Sequence, residues 1–179
     1  MKIFKPLVLN DFEWINACNP NDYETFVLFD GRSLADQWRP IHVRRVRADA
    51  RQAGKPSDFP WLGSHALIMR RSAMEALQDI WTADGEILPL ATDDDVELFV
   101  FNAQVKAVMD EARSSLVMFP ETNRIMQIKQ IAFIEALIQG VDVFRLPHRA
   151  SATYVSQHFV DRVTSAGLCG LEFNCVWTS

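Results

Sequence analysis

The sequence predicts an α+β fold, a mostly antiparallel sheet with a few short helices in a single compact domain. Three observations lead there. Predicted strands outnumber predicted helices, most neighbouring strands are separated by turn residues, and helices bridge only two or three of the gaps. The 179 residues, 49% of them hydrophobic, are enough for one core of ordinary size without a disulfide or metal staple. The expected organisation is one domain over residues 1–179, with 1–47 an N-terminal subregion and 48–60 an internal loop.

FKPLVLN opens the chain as an edge strand, because Pro6 has no N–H to give to a second neighbour. Phe26–Phe29 is an apolar run of strand length that ends at Asp30-Gly31, a strong turn signal. IHVRRVR (Ile41–Arg47) sets apolar side chains against arginines, as a half-solvated strand does. Ala48–Pro60 holds Gly54, Pro56, Ser57, Asp58 and Pro60 and has the composition of a loop. HALIM (His65–Met69) is a strand that leads into a helix. Ser72 and Glu75 form a Ser-x-x-Glu capping box, and Met74, Leu77, Ile80 and Trp81 make an apolar stripe at helical spacing. Ala83-Asp84-Gly85 ends that helix, and EILPL leaves it extended.

Val96–Phe101 is almost continuously apolar and reads as a strand buried on both faces. Ala103–Asp110 has no clear period and is either a short helix or irregular. Ser115–Phe119 and Arg124–Phe133 are predicted to form a hairpin across Pro120–Asn123. IEALIQG is a short helix or turn stopped by Gly140, and VDVFRLP follows as a strand.

The last unit is the most legible. In YVSQHFVDRVTSAGLCGLEFNCVW (Tyr154–Trp177), Ser156 is a good N-cap. Val155 and Val160 sit where a hydrophobic staple packs. Gly167 supplies a left-handed C′ position. Leu171, Phe173, Cys175 and Trp177 then fall at period two on a closing strand. Residues 66–90 share this layout of strand, helix, glycine and strand, with little residue identity.

Tyr-Val-Ser-x-x-Phe, a short helix and Gly-Leu-x-Gly-Leu-Glu-Phe-x-x-x-Trp at the C-terminus resemble a family of bacterial immunity proteins. Its members are encoded beside polymorphic, contact-delivered toxins. PSDFP (Pro56–Pro60), SAMEALQDIW with GEILPL (Ser72–Leu90) and VDVFRLP (Val141–Pro147) fit the same pattern in order, over roughly the last two thirds of the chain. The resemblance implies a binding protein that neutralises a cognate toxin in interbacterial competition. It leaves 1–47 as the variable part.

Motifs of catalysis are missing from the sequence. It contains no phosphate-binding Gly-x-x-x-x-Gly-Lys-Ser/Thr, no Gly-x-Gly-x-x-Gly and no Gly-x-Ser-x-Gly. The four histidines (His42, His65, His148 and His158) include no His-x-x-x-His pair. The three cysteines (Cys18, Cys169 and Cys175) have neither a disulfide-scaffold nor a zinc-ligand spacing. No catalytic residue, cofactor or metal ligand is therefore expected. Asp93-Asp94-Asp95 lacks the alternation, glycine and closing glutamate of a calcium loop.

No apolar stretch of about 18 residues is present, and the N-terminus lacks a signal-peptide h-region. No membrane contact and a cytoplasmic location are therefore expected.

Net charge is −5, unevenly spread. Residues 39–71 are rich in Lys and Arg, and residues 72–121 in Asp and Glu. Either the two segments lie together and neutralise each other, or the acids face a basic partner. On the second reading Asp84, Glu86, Asp93, Asp94, Asp95 and Glu97 are candidate toxin contacts, with Trp38 and Trp61 as aromatic anchors. Arg44, Arg45, Arg47 and Arg51 raise nucleic-acid binding, but no nucleic-acid motif accompanies them and the overall balance is acidic. A small hydrolase or transferase, with Ser64 and His65 and an acid brought in by folding, is the alternative from a different class.

Overall fold

The computed structural model describes residues 1–9, 11–46, 54–122 and 124–179. Within them the chain forms β1 (Lys2–Val8), β2 (Ile15–Ala17), α1 (Asp22–Val27), β3 (His42–Arg45), β4 (Leu67–Arg70), α2 (Arg71–Ala76), α3 (Gln78–Asp84), β5 (Gly85–Pro89), β6 (Ala91–Thr92) and β7 (Leu98–Ala103). It continues through β8 (Ser115–Met118), β9 (Ile125–Gln130), a 3-10 turn at Glu135–Leu137, β10 (Val143–Arg145), β11 (Thr153–Ser156), α4 (Gln157–Ser165) and β12 (Leu171–Thr178). The strands form sheets of order β10-β11-β1-β12, β2-β3-β6, β4-β7-β5 and β8-β9. Of these pairs, β3 with β6 alone is parallel. The fold is α+β with mostly antiparallel sheets, as the sequence predicts.

The layout shared by the two strand–helix–strand segments is a real architectural one. β4 and β5 both pair antiparallel with β7 and so flank it, with α2 and α3 crossing between them. β11 and β12 flank β1 in the same way, joined by α4. The two split units meet helix to helix over one core. The Trp81 ring lies 5.6 Å from Phe159 and 4.8 Å from Phe101, and Phe159 lies 6.1 Å from Phe173.

Both central sheets are buried on two faces. Leu67, Met69 and Phe101 point into the shared core, while Ile68, Leu88 and Val100 point into a second core with Ile15 and Val43. This explains the unbroken apolar run of β7. Phe4 and Val155 also face the shared core, and Ile3 and Tyr154 face a third core with Phe133 and Phe144.

Five expectations need correction. First, β1 is not an edge strand; it lies between β11 and β12. Pro6 is tolerated because β11 pairs only with Ile3 and Phe4, so Pro6 lies past the end of that ladder. Second, Phe26 and Val27 belong to α1, not to a strand. A four-residue apolar run cannot separate the two by period, and the deciding partner is distant. Arg145, 2% exposed, donates to the carbonyls of Phe29 at 2.8 Å, Val27 at 3.1 Å and Phe26 at 3.4 Å. The Phe26 and Val27 carbonyls are groups that a helix C-terminus leaves without partners and with partial negative charge, and Phe29 lies just past that end. Burial pushes the guanidinium down to about 10.

Third, Ser72 does not cap. The helix starts two residues earlier, after Arg70, with no side-chain cap, and the Ser72 hydroxyl donates to Asp58 instead. Fourth, that helix breaks at Leu77 (φ −121°) into α2 and α3. The Trp81 indole donates to the Ala73 carbonyl at 3.1 Å across the break. Fifth, the period of β12 fails at a bulge: Phe4 opposes Cys175 and Ile3 opposes Trp177, which leaves Val176 extra. Phe173 therefore faces the shared core, Val176 and Trp177 face the third core, and Cys175 is exposed.

Of the loop 48–60, residues 48–53 lie outside the described residues. Residues 54–60 act as a clamp. Ser57 N–H donates to Glu13 at 3.0 Å, Arg70 Nε donates to the Ser57 carbonyl at 2.7 Å, and Asp58 accepts from Cys169 N–H at 2.8 Å. Of Ala103–Asp110, Ala103 ends β7 and the rest is irregular, with isolated bridges to Arg145 and Phe133.

Candidate functional site

The acidic residues singled out from sequence separate into two kinds. Asp84 is buried, at 5% exposure. Its Oδ2 accepts from Asp142 N–H at 2.7 Å and Val143 N–H at 2.9 Å, tying the end of α3 to β10. Burial pushes its carboxyl up, against the pull of those two bonds. Glu86 is half-buried and holds the 33–35 turn through Ser33 Oγ (2.7 Å), Leu34 N–H (2.8 Å) and Ala35 N–H (3.2 Å). Neither is a surface group waiting for a partner.

Asp93, Asp94, Asp95 and Glu97 are exposed. Asp93 pairs with His42 Nε2 at 2.9 Å, Asp94 pairs with Arg45, and Glu97 accepts two bonds from Arg71, each at 2.7 Å. Asp95 makes no ion pair among the described residues. The basic and acidic segments thus lie side by side, and much of the charge swing is internal to the fold. Of the arginine cluster, Arg47 and Arg51 lie outside the described residues, and Arg45 is engaged with Asp94.

The two tryptophans differ from each other. Trp61 is 8% exposed and packs edge-on against Trp14 at 6.4 Å, and Trp14 is the exposed member at 47%. Trp38 is half-buried and donates from Nε1 to the Pro89 carbonyl at 2.7 Å. Trp61 is therefore core, and Trp14 is the more accessible ring.

Ser64 and His65 do not assemble a hydrolytic pair. His65 is 5% exposed. Its Nδ1 lies 3.5 Å from Tyr23 Oη, and its Nε2 has no partner among the described residues. Burial and the nearby Arg145 charge push the imidazole down to about 4. A general base poised near neutral pH needs the opposite environment, with a carboxylate orienting the ring.

The most conspicuous surface is one that the sequence reading left unassigned, the β8–β9 hairpin. It pairs with no other named strand, and none of its described residues is buried. Met118 is 42% exposed, Phe119 45% and Met126 52%, with Ile134 (39%) and Leu137 (52%) just beyond. Beside it an open groove of about 490 Å³ is lined by Met109, Ile125, Ile134, Leu146 and Pro147. Large apolar side chains clustered this way on a surface mark a contact site, whereas scattered single ones do not. The signal in the sequence was the hairpin itself, whose apolar residues fall on both faces of a two-stranded ribbon that has one body to pack against.

Folding also gathers Cys18, His42 and Asp93, whose candidate ligand atoms all lie within 4.8 Å of one another. They are too far apart in sequence for any spacing rule to link them. No helix among the described residues is long and apolar enough to cross a membrane.

Residues 101–178 match the immunity protein family Imm11. The resemblance carried by VDVFRLP and the closing Tyr154–Trp177 unit falls inside that stretch, and the match bears it out there. PSDFP and the 72–90 segment lie outside it. The matched stretch contains β7's C-terminal half, the β8–β9 hairpin and the whole of the β11-α4-β12 unit. No curated protein matches the chain.

Proposed function

We propose that this protein is an immunity protein that binds a cognate toxin domain directly in the cytoplasm and blocks it, with no catalysis of its own. The observation that carries this reading is the immunity-family match over residues 101–178. The contact surface is the exposed apolar side chains of β8–β9 with the groove beside them, all inside the matched stretch. Met118, Phe119 and Met126 are the anchors, since large flexible and aromatic side chains supply most of an interface's energy when a partner takes them out of water. The exposed edge Asp93–Asp95 with Glu97 has the smaller part of steering a basic toxin surface toward the contact, an effect on association rate that salt screens.

The test is co-expression with the toxin domain encoded beside this protein's gene in a sensitive host, followed by binding of the purified pair. Growth rescue with direct binding is expected. A variant carrying Met118→Asp and Met126→Asp, on exposed positions, is expected to keep the circular dichroism of the parent and to lose about 2 kcal/mol or more of binding. Asp93→Asn, Asp94→Asn and Asp95→Asn together are expected to lower the association rate and flatten its salt dependence. Rescue without binding removes the direct-contact reading. Full affinity in the Met118/Met126 variant moves the interface off the hairpin.

A further inference from the structure

We propose that Cys18, His42 and Asp93 form a binding site for a thiophilic divalent cation, zinc foremost, at the rim of the β2-β3-β6 sheet. The three residues come from the ends of adjacent strands. Cys18 follows β2, His42 opens β3, and Asp93 follows β6. Their backbones are held in place: Cys18 N–H donates to the His42 carbonyl at 2.8 Å, and His42 is in register with Ala91 of β6. Thr92, next to Asp93, donates from Oγ1 to the Val96 carbonyl at 2.9 Å, which closes the turn that carries Asp93. The site therefore rests on a preformed sheet edge, and only side-chain rotations are needed to close it.

The chemistry of the donors selects the ion. A thiolate, an imidazole and a carboxylate match the N, O and S ligands that zinc takes, at about 2.3 Å from sulfur and about 2.0 Å from nitrogen or oxygen. Donors on such a centre lie roughly 3.3–3.6 Å from one another. Here the candidate atoms already lie within 4.8 Å, with His42 Nε2 and Asp93 Oδ1 at 2.9 Å. Calcium and magnesium prefer oxygen alone, so the cysteine argues against them. The thiolate and carboxylate carry two negative charges, which the cation neutralises. Three protein ligands leave a fourth position to water. Binding releases the thiol proton and is therefore stronger at higher pH.

The same three residue types could be read as a nucleophile, base and orienting acid. That relay needs the imidazole between the other two, with the thiol on one ring nitrogen and the carboxylate on the other. Here all three candidate atoms lie within 4.8 Å of one another, a triangle rather than a relay, which suits a shared cation.

The experiment uses the full chain with Cys169→Ser and Cys175→Ser, stripped with chelator and titrated with Zn²⁺ and separately with Co²⁺. One ion per chain, a rise in Tm with zinc, and a thiolate-to-cobalt charge-transfer absorption are expected. Cys18→Ser is expected to abolish that absorption. His42→Ala, at an exposed position, is expected to weaken zinc binding by more than the roughly 10–100-fold that loss of an outer partner costs. A cobalt spectrum unchanged by Cys18→Ser overturns the proposal. So does zinc affinity unchanged by His42→Ala, or no ion retained by the parent chain. If Cys18→Ser fails to fold, His42→Ala decides alone.

Discussion

The two split units, β4-α2-α3-β5 around β7 and β11-α4-β12 around β1, have the same layout and are built by different physics. In the second, the rules are local. Ser156 accepts from Phe159 N–H at 3.1 Å as a true N-cap, and Val155 and Val160 staple the entry into the same core. The helix ends in a Schellman motif: Gly167 N–H bonds to the Thr164 carbonyl at 3.0 Å and Leu168 N–H to the Val163 carbonyl at 3.1 Å. Gly167 has φ +66°, and a Cβ there would meet nothing within 4 Å, so glycine serves the backbone angle alone.

In the first unit the same punctuation has other causes. Its serine bonds to Asp58, its helix breaks at Leu77, and neither half has a side-chain cap. Gly85 has φ 169°, which any residue adopts. Glycine is needed there because a Cβ would sit 2.4 Å from the Asn102 carbonyl and 2.6 Å from the Phe101 ring. Identical sequence signals can thus report a turn in one place and a close approach of strands in another.

The comparison can be broken at several points. The largest effect is expected from Asp84→Ala, which cuts the polar tie between the end of α3 and β10. Two N–H groups of residues 142 and 143 would lose their acceptor, at about 1–3 kcal/mol each. A loss of about 4 kcal/mol in urea-unfolding stability is expected, and a loss below 1 kcal/mol would show that water replaces the carboxylate.

Acid is the next lever. His65 leads into β4, whereas the second unit's histidine, His158, is exposed. The folded value of His65 is pushed down to about 4, below the unfolded value of about 6.5. The unfolded chain therefore binds the proton first, and stability falls as pH drops from 6.5 toward 4, by up to about 3 kcal/mol. Stability measured at pH 7 and pH 5 should differ less in His65→Gln than in the parent. An equal difference assigns the acid lability elsewhere.

Gly85→Ala follows, at about 2 kcal/mol for the overpacking it forces between β5 and β7. Gly167→Ala should cost only about 1 kcal/mol, because the strain is confined to one left-handed residue. Thermal melts of the two alanine variants rank them directly, and the reverse order would mean that β5 yields more easily than the helix end.

A further contrast concerns what was legible before folding. The cap, staple and glycine stop of α4, the β8–β9 hairpin and the buried run of β7 all depend on residues a few positions apart, so periodicity and turn chemistry were sufficient. The acidic 84–97 segment looked uniform in sequence, yet folding divided it. Asp84 and Glu86 became internal braces, and Asp93, Asp94 and Glu97 became surface ion pairs with residues brought in from 42–71. Charge counting along a chain cannot see which cation will arrive beside which acid.

The sequence alone determined the fold class, the order of most elements and the cap, staple and glycine stop of the closing unit, because these are set by short-range propensity and by the alternation of apolar residues. Tertiary structure decided the rest. It placed β1 inside its sheet despite Pro6, turned Phe26–Val27 into a helix end held by Arg145 more than a hundred residues away, left the hairpin's apolar face uncovered, and brought Cys18, His42 and Asp93 together. Each of these depends on which distant strand or side chain becomes a neighbour, and the energy of burying a group or satisfying its hydrogen bonds exists only once that neighbour is in place.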